Sequence, residues 1–244
     1  MKQRYWGTKP PEKRVSEPEI GIYTKKELGW MLIAMIIATF ISFIPLIPLV
    51  PEDTEAILTR FLIFFLIIFV SVTVKKLIAP HYSIKIEHRV WEFQRWGYYL
   101  RSKFKKPIPM GLIFSFFLGI FSLGYIKPFL YLQFDIEDDP HRRMLSHIGG
   151  RKAVRKDYLN QEDYGYTAAW GFYSLLVLAI IGGIISSFYN LQFGADLAKL
   201  SIFYGLWNLV PFGNLDGSRL FYGVYWGWIF MLIFYLIGLT FILI

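Results

Sequence analysis

Asn208, Pro211, Asp216 and Gly217 stand close together at the end of a long apolar run, in the order Asn208-Leu-Val-Pro211-Phe-Gly-Asn-Leu-Asp216-Gly217. The group that could do chemistry is the Asp216 carboxylate, as a metal ligand or as a coupling group. At membrane depth an ionisable side chain costs roughly 2.5 kcal/mol or more, so one that persists there marks a functional site by default. A plainer use also exists. Asp-Gly is a common turn and cap pair, so Asp216 can N-cap the final helix, with Arg219 three residues on to neutralise it.

The elements that must position this carboxylate are mostly apolar. The chain has 244 residues, of which 55% are hydrophobic and 19% aromatic, in five or six long apolar runs. Continuous runs of this kind predict an all-α polytopic membrane protein of about five to six transmembrane helices, because a helix satisfies its own backbone in lipid; barrel strands would alternate. The first run begins at Trp30 after a charged leader, 1–29, so no cleavable signal is expected. The remainder, 30–244, reads as a single membrane domain. Cysteine is absent, which excludes disulfides and thiolate metal sites.

Thr24-Lys-Lys-Glu27 has capping-box spacing and predicts a helix from about Lys25 that crosses from Trp30 to Val50, frayed at Pro45 and Pro48. A second span runs from Ala56 to about Val74 and ends in Lys75-Lys76, which can snorkel to the interface. Between this span and the later core spans, 83–165 forms a cytoplasmic-side insertion, a small β-hairpin or re-entrant element. Within it, Ile84, Ile86 and Val90 alternate with charged residues, and Leu130, Leu132, Phe134 and Ile136 with polar ones, which predicts two strands. The apolar segment Gly111–Ile126 between them is short for a span, and residues 136–165 read as a soluble loop. The last runs cover Thr167–Tyr189, Leu197–Leu215 and Leu220–Ile244, with Gly223-x-x-x-Gly227 in the final one as a helix-packing signal.

The net charge of +8 is not spread evenly: seven Lys/Arg lie in 1–26, nine in 75–106 and seven in 127–165. Alternate placement between apolar runs follows the positive-inside rule, putting these faces and the N-terminus in the cytoplasm and the acidic loop Pro51–Glu55 outside. Membrane lipid is the expected partner of the basic faces. No nucleic-acid partner is expected, because no reading motif accompanies them.

The spacing Asn-x-x-Pro-x-x-x-x-Asp-Gly on a penultimate span resembles the site-2 protease family of intramembrane zinc metalloproteases. The resemblance implies that Asp216 takes the position of the third zinc ligand. Asn208 and Pro211 then take the substrate side of an unwound stretch, and Gly217 the turn. The family's other half is His-Glu-x-x-His, two imidazoles one helical turn apart with a general base between them. Phe69-Val70 before it, and Ala79 with Tyr82-Ser83-Ile84 after it, set a register in which Ser71, Val72 and Lys75 occupy the histidine, glutamate and histidine positions. The ligands are replaced, and Lys75 puts a cation where a dication would bind. The family's Gly-Pro-x-x-Asn element corresponds to Ala168–Leu175, without the proline and the asparagine.

Other groups offer few substitutes. His81 and His88 are seven residues apart, while His141 and His147 lie in the charged loop; all four read as interfacial or solvated. The cluster Trp91-Glu92-Phe-Gln-Arg95-Trp96-Gly97 reads as an interfacial aromatic belt with snorkelling cations, with a partner-binding surface as the alternative. Whether the chain is an enzyme stays open at this point. The expected function is that of a site-2-protease-like protein without its catalytic motif, which binds or regulates another membrane protein or segment. No cofactor is then expected, although zinc would be the ion if the family activity survives. The alternatives are an active metalloprotease with unorthodox ligands, with His81 or His88 beside Asp216, and a transporter, channel or lipid-binding protein. The discriminating observation is whether Asp216 meets Ser71–Lys75, and Lys75 is the residue expected to pair with it.

Overall fold

A computed structural model describes residues 19–20, 22–44, 54–82, 84–95, 103–138 and 161–243. Most of the leader, Pro45, Pro48, Trp96, Gly97, His141, His147 and the bulk of the 136–165 loop lie outside the described residues. Two short strands, β1 (Glu19–Ile20) and β2 (Tyr23–Thr24), precede α1 (Lys25–Ser42) and α2 (Thr54–Ile78), which ends in a 3-10 turn at Ala79–Tyr82. The insertion contains β3 (Ile84–Val90), β4 (Phe93–Arg95), β5 (Lys103–Ile108), α3 (Met110–Phe121) and β6 (Leu132–Asp138). The C-terminal part is helical: α4 (Gln161–Tyr189), α5 (Gln192–Leu209), α6 (Asp216–Gly223) and α7 (Tyr225–Leu243).

The structure is thus largely helical, with small two-stranded sheets. Among the described residues, three helical stretches are long and apolar enough to cross a membrane: Glu55–Tyr82, Gln161–Tyr189 and Tyr225–Ile242. Their outer faces leave Leu58, Leu62, Phe230 and Phe241 exposed, an apolar surface that suits lipid. Inside, α4 packs against α5, α2 and α6, while α1 lies on α2.

Local chemistry explains most boundaries. At the start of α1 the capping box is complete: the Thr24 side chain accepts from the Glu27 N–H, and Glu27 accepts from the Thr24 N–H. The helix stops at Ser42, well short of the expected Val50. Ile44 precedes Pro45, and a residue before proline is pushed out of the helical region. The expected last span is broken in two at Val224, whose φ of −139° and ψ of 78° leave the helix after α6. Of the Gly223-x-x-x-Gly227 pair, Gly223 sits against α4, where a Cβ would meet the Gln161 carbonyl oxygen and Gly165, while Gly227 faces the side chains of Val224 and of Leu220 in α6.

The insertion differs from a simple hairpin. Strand β3 pairs antiparallel with β6, from Ile84↔Asp138 to Val90↔Leu132, with the β4–β5 pair and α3 enclosed between them in sequence. The 12 residues of α3 span only about 18 Å, too little to cross a bilayer. Strand β3 alternates as expected, with Ile84, Ile86, His88 and Val90 buried. Strand β6 does not, because Leu132, Gln133 and Phe134 are all buried, and Gln133 Oε1 accepts from the Glu92 backbone N–H.

Candidate functional site

Which way α2 faces decides what its last turns can reach. The buried positions Phe64, Ile68, Ser71, Val72 and Lys75 recur at helical spacing and form one inward stripe. Lys75 is therefore carried into the protein, and it is only 3% exposed. Its Nζ lies 2.6 Å from Asp216 Oδ2, a buried ion pair and hydrogen bond between the end of α2 and the start of α6. Ser71 and Val72 lie on the same face about one turn earlier. The expected snorkelling of Lys75-Lys76 is thus corrected for both. Lys76 also turns inward, to Glu27.

Room for Lys75 comes from α4. A Cβ on Gly171 would sit 2.9 Å from Lys75 Cδ and 3.1 Å from Cγ, so glycine there admits the lysine stem. Asp216 is the first residue of α6 rather than its cap; Leu215 holds the cap position, without a side-chain cap bond. Arg219 does not pair with Asp216 either. Its guanidinium stacks on Phe134, with Cζ 4.2 Å from the ring centroid, and Lys75 Nζ lies 5.6 Å from the same ring. Phe134 therefore faces two cations, an arrangement its negative ring face favours. Asp216 Oδ1, Ser218 Oγ and Arg219 Nε are buried without a hydrogen-bond partner among the described residues.

The remaining motif residues build the frame. Helix α5 ends at Leu209, and Val210–Leu215 is non-helical, with Gly213 at φ +60°. Asn208 is buried, and its Nδ2 donates to the carbonyls of Phe129 (2.9 Å) and Tyr204 (2.8 Å), tying α5 to the segment that leads into β6. Gly217 is pressed on the end of α5: a Cβ would lie 2.3 Å from the Leu209 carbonyl oxygen. Pro211 and Phe212 are exposed on the unwound stretch.

A second polar cluster adjoins the pair. His88 is 1% exposed, which corrects the expectation that it is interfacial or solvated. Its Nδ1–H donates to Glu27 Oε1 at 3.0 Å, and its backbone N–H donates to the same oxygen at 2.9 Å. Burial first, and then the nearby Lys75 charge, push the His88 pKa down from 6.5 to about 4, so the ring is neutral at pH 7. His81 is exposed on the 3-10 turn and joins neither group. Trp91 is likewise not part of an interfacial belt. It is buried with its ring centroid 5.7 Å from that of Phe212, and its backbone is locked to Tyr131 and Gly111.

Sequence reasoning missed Glu27 as a tertiary acceptor and His88, Phe134 and Gly171 as wall residues. For His88 a signal existed, since period two places residue 88 on the same face as Ile84, Ile86 and Val90. Among the described residues, no three His, Asp or Glu side chains come together as a metal site. The donor set does not fit zinc, because the ammonium of Lys75 stands against the one carboxylate at the ligand position. No family model, curated protein or solved structure matches this chain.

Proposed function

We propose that this chain is a site-2-protease-like membrane protein without a catalytic metal site, which binds or regulates a segment of another membrane protein. The observation that carries this reading is the Lys75–Asp216 contact. Asp216, at the third-ligand position of the family pattern, meets the end of the second span at the second-histidine position. An ion pair then stands where the resemblance would put the metal, and it holds α2 to α6 in its place. The exposed stretch around Pro211 and Phe212, beside Trp91, is the surface offered to an incoming segment. The same contact weighs against a transporter or channel unrelated to that family.

In this reading α1, α2, α4, α5 and α7 make five crossings, α3 enters without crossing, and the N-terminus is cytoplasmic. Reporter fusions after residues 29, 52 and 150 test that topology: the first and third should report the cytoplasm, and the second the outside.

The function is tested with purified protein and a panel of single-span peptides in vesicles. Elemental analysis should find no stoichiometric zinc, and a photo-crosslinking side chain at Phe212 should trap a bound peptide without cleaving it. One zinc per chain, lost on Asp216→Ala, would overturn the proposal. Chelator-sensitive cleavage would do the same in favour of an active protease. Absence of crosslinking across the panel would remove the binding role.

A further inference from the structure

A cavity of about 530 Å³ lies beside Arg60, near the end of α2 opposite Lys75, and is bounded by the end of α1, the side of α5 from Asp196 to Trp207 and the segment before β6. Arg60 is about 22 Å from Lys75 along the helix, and neither Lys75 nor Asp216 lines this cavity. Its walls include Phe203 and Trp207, and its charged groups are Arg60, Lys127, Lys199 and Asp196. Among the described lining residues there are three cations and one carboxylate, in a mostly apolar setting.

Part of that charge has a structural use. Arg60 Nη1 donates to the Ser42 carbonyl at 3.0 Å and Lys127 Nζ donates to the same oxygen at 2.7 Å, which caps the C-terminus of α1. Capping does not account for Lys199, and neither Arg60 nor Lys199 forms an ion pair among the described residues. Apolar side chains of α5 and of the segment before β6, Leu200, Phe203 and Phe129, line the cavity beside its cations. Pockets of this size that combine apolar walls with a few convergent polar groups are ligand sites, and guanidinium and ammonium groups beside apolar walls complement a phosphate joined to acyl chains.

We propose that this cavity binds an anionic phospholipid. Its phosphate sits between Arg60 and Lys199, and its first acyl carbons run along Phe203 and Trp207. The binding makes the lipid a structural ligand at the junction of α1, α2 and α5.

Native mass spectrometry of the full chain, titrated in detergent with phosphatidylglycerol, phosphatidylcholine or glycerol 3-phosphate, tests this. Phosphatidylglycerol should bind at least about tenfold more tightly than the zwitterionic lipid, and glycerol 3-phosphate weakly, since each basic side chain contributes on the order of fivefold. An Arg60→Gln/Lys199→Gln double variant should lose about thirtyfold, and Lys199→Gln alone about fivefold. Lys199 is exposed, so the single variant should melt like the parent and keep the test valid if the double variant misfolds. Equal binding of the two lipids, or unchanged phosphatidylglycerol binding by Lys199→Gln, would overturn the proposal. Glycerol 3-phosphate binding as tightly as phosphatidylglycerol would overturn the lipid and leave a small-anion site.

Discussion

Two buried carboxylates sit near one another, and they are satisfied to very different degrees. Glu27 is fully buried and accepts from the backbone N–H groups of Thr24 and His88, the His88 ring and the Lys76 ammonium. Asp216 has Lys75 on Oδ2 and nothing on Oδ1 among the described residues. A carboxylate whose lone pairs are filled by fixed donors is a fastener. One left half-satisfied in a buried setting retains free energy that a ligand or a conformational change can use. The difference separates the joint between α1, α2 and β3 from the site between α2 and α6.

The comparison breaks most visibly at Lys75. Lys75→Met leaves the Asp216 charge buried without its cation, and breaking a buried pair on one side costs about 3–5 kcal/mol. Adding Asp216→Leu removes the stranded charge, and the double variant should recover most of the loss, because an apolar pair of similar size is often neutral or stabilising. Thermal unfolding in detergent of the two singles and the double measures this. An unchanged melting temperature for Lys75→Met would show that the pair holds nothing together.

The Glu27 side is sharpened by acid. His88 faces Glu27, Lys75 and Asp216, and its folded-state pKa lies at about 4, below the ordinary 6.5. The unfolded chain therefore takes up a proton between those values that the folded protein refuses. Stability contributed by neutral His88 is complete above pH 6.5 and is lost as the pH falls toward 4, by an amount on the order of 3 kcal/mol at most. His88→Gln should flatten the stability profile across that window. A profile equally steep with and without His88 would assign the acid sensitivity elsewhere.

The sequence made some of this legible and hid the rest for physical reasons. Period two exposed β3 and β6 as strands, and the contact of Lys75 with Asp216 was expected from the family resemblance and the register it implies, not from spacing alone. The facing of α2 was not readable, because a helix apolar on all sides shows no stripe in its composition. That is why Lys75 could be read equally as snorkelling and as paired. Glu27 was explained too early: a complete capping box accounts for Thr24 and Glu27 locally and conceals the tertiary donors from His88 and Lys76. His88 was available from its place in the β3 alternation, but its charge class pointed to water. The break at Val224 had no proline or charge to announce it, so α6 and α7 read as one span. Nothing local marks Gly171 as the space for a lysine on another helix.

Gly171 gives the smallest and most specific test of the site. Gly171→Ala gains helix propensity of up to about 1 kcal/mol, but its Cβ would fall 2.9 Å from Lys75 Cδ and 3.2 Å from Cε. The lysine must shift and draw its ammonium away from Asp216, for a net loss of about 1 kcal/mol. Gly183, on the same helix, has nothing within 4 Å of its Cβ position, so Gly183→Ala should be neutral or stabilising. In a Lys75→Met background the stem can move without stretching an ion pair, and the penalty at Gly171 should largely vanish. If the two glycine variants behave alike, or if the Gly171 penalty persists unchanged in the Lys75→Met background, then α4 does not position Lys75 and the pair is held by α2 and α6 alone.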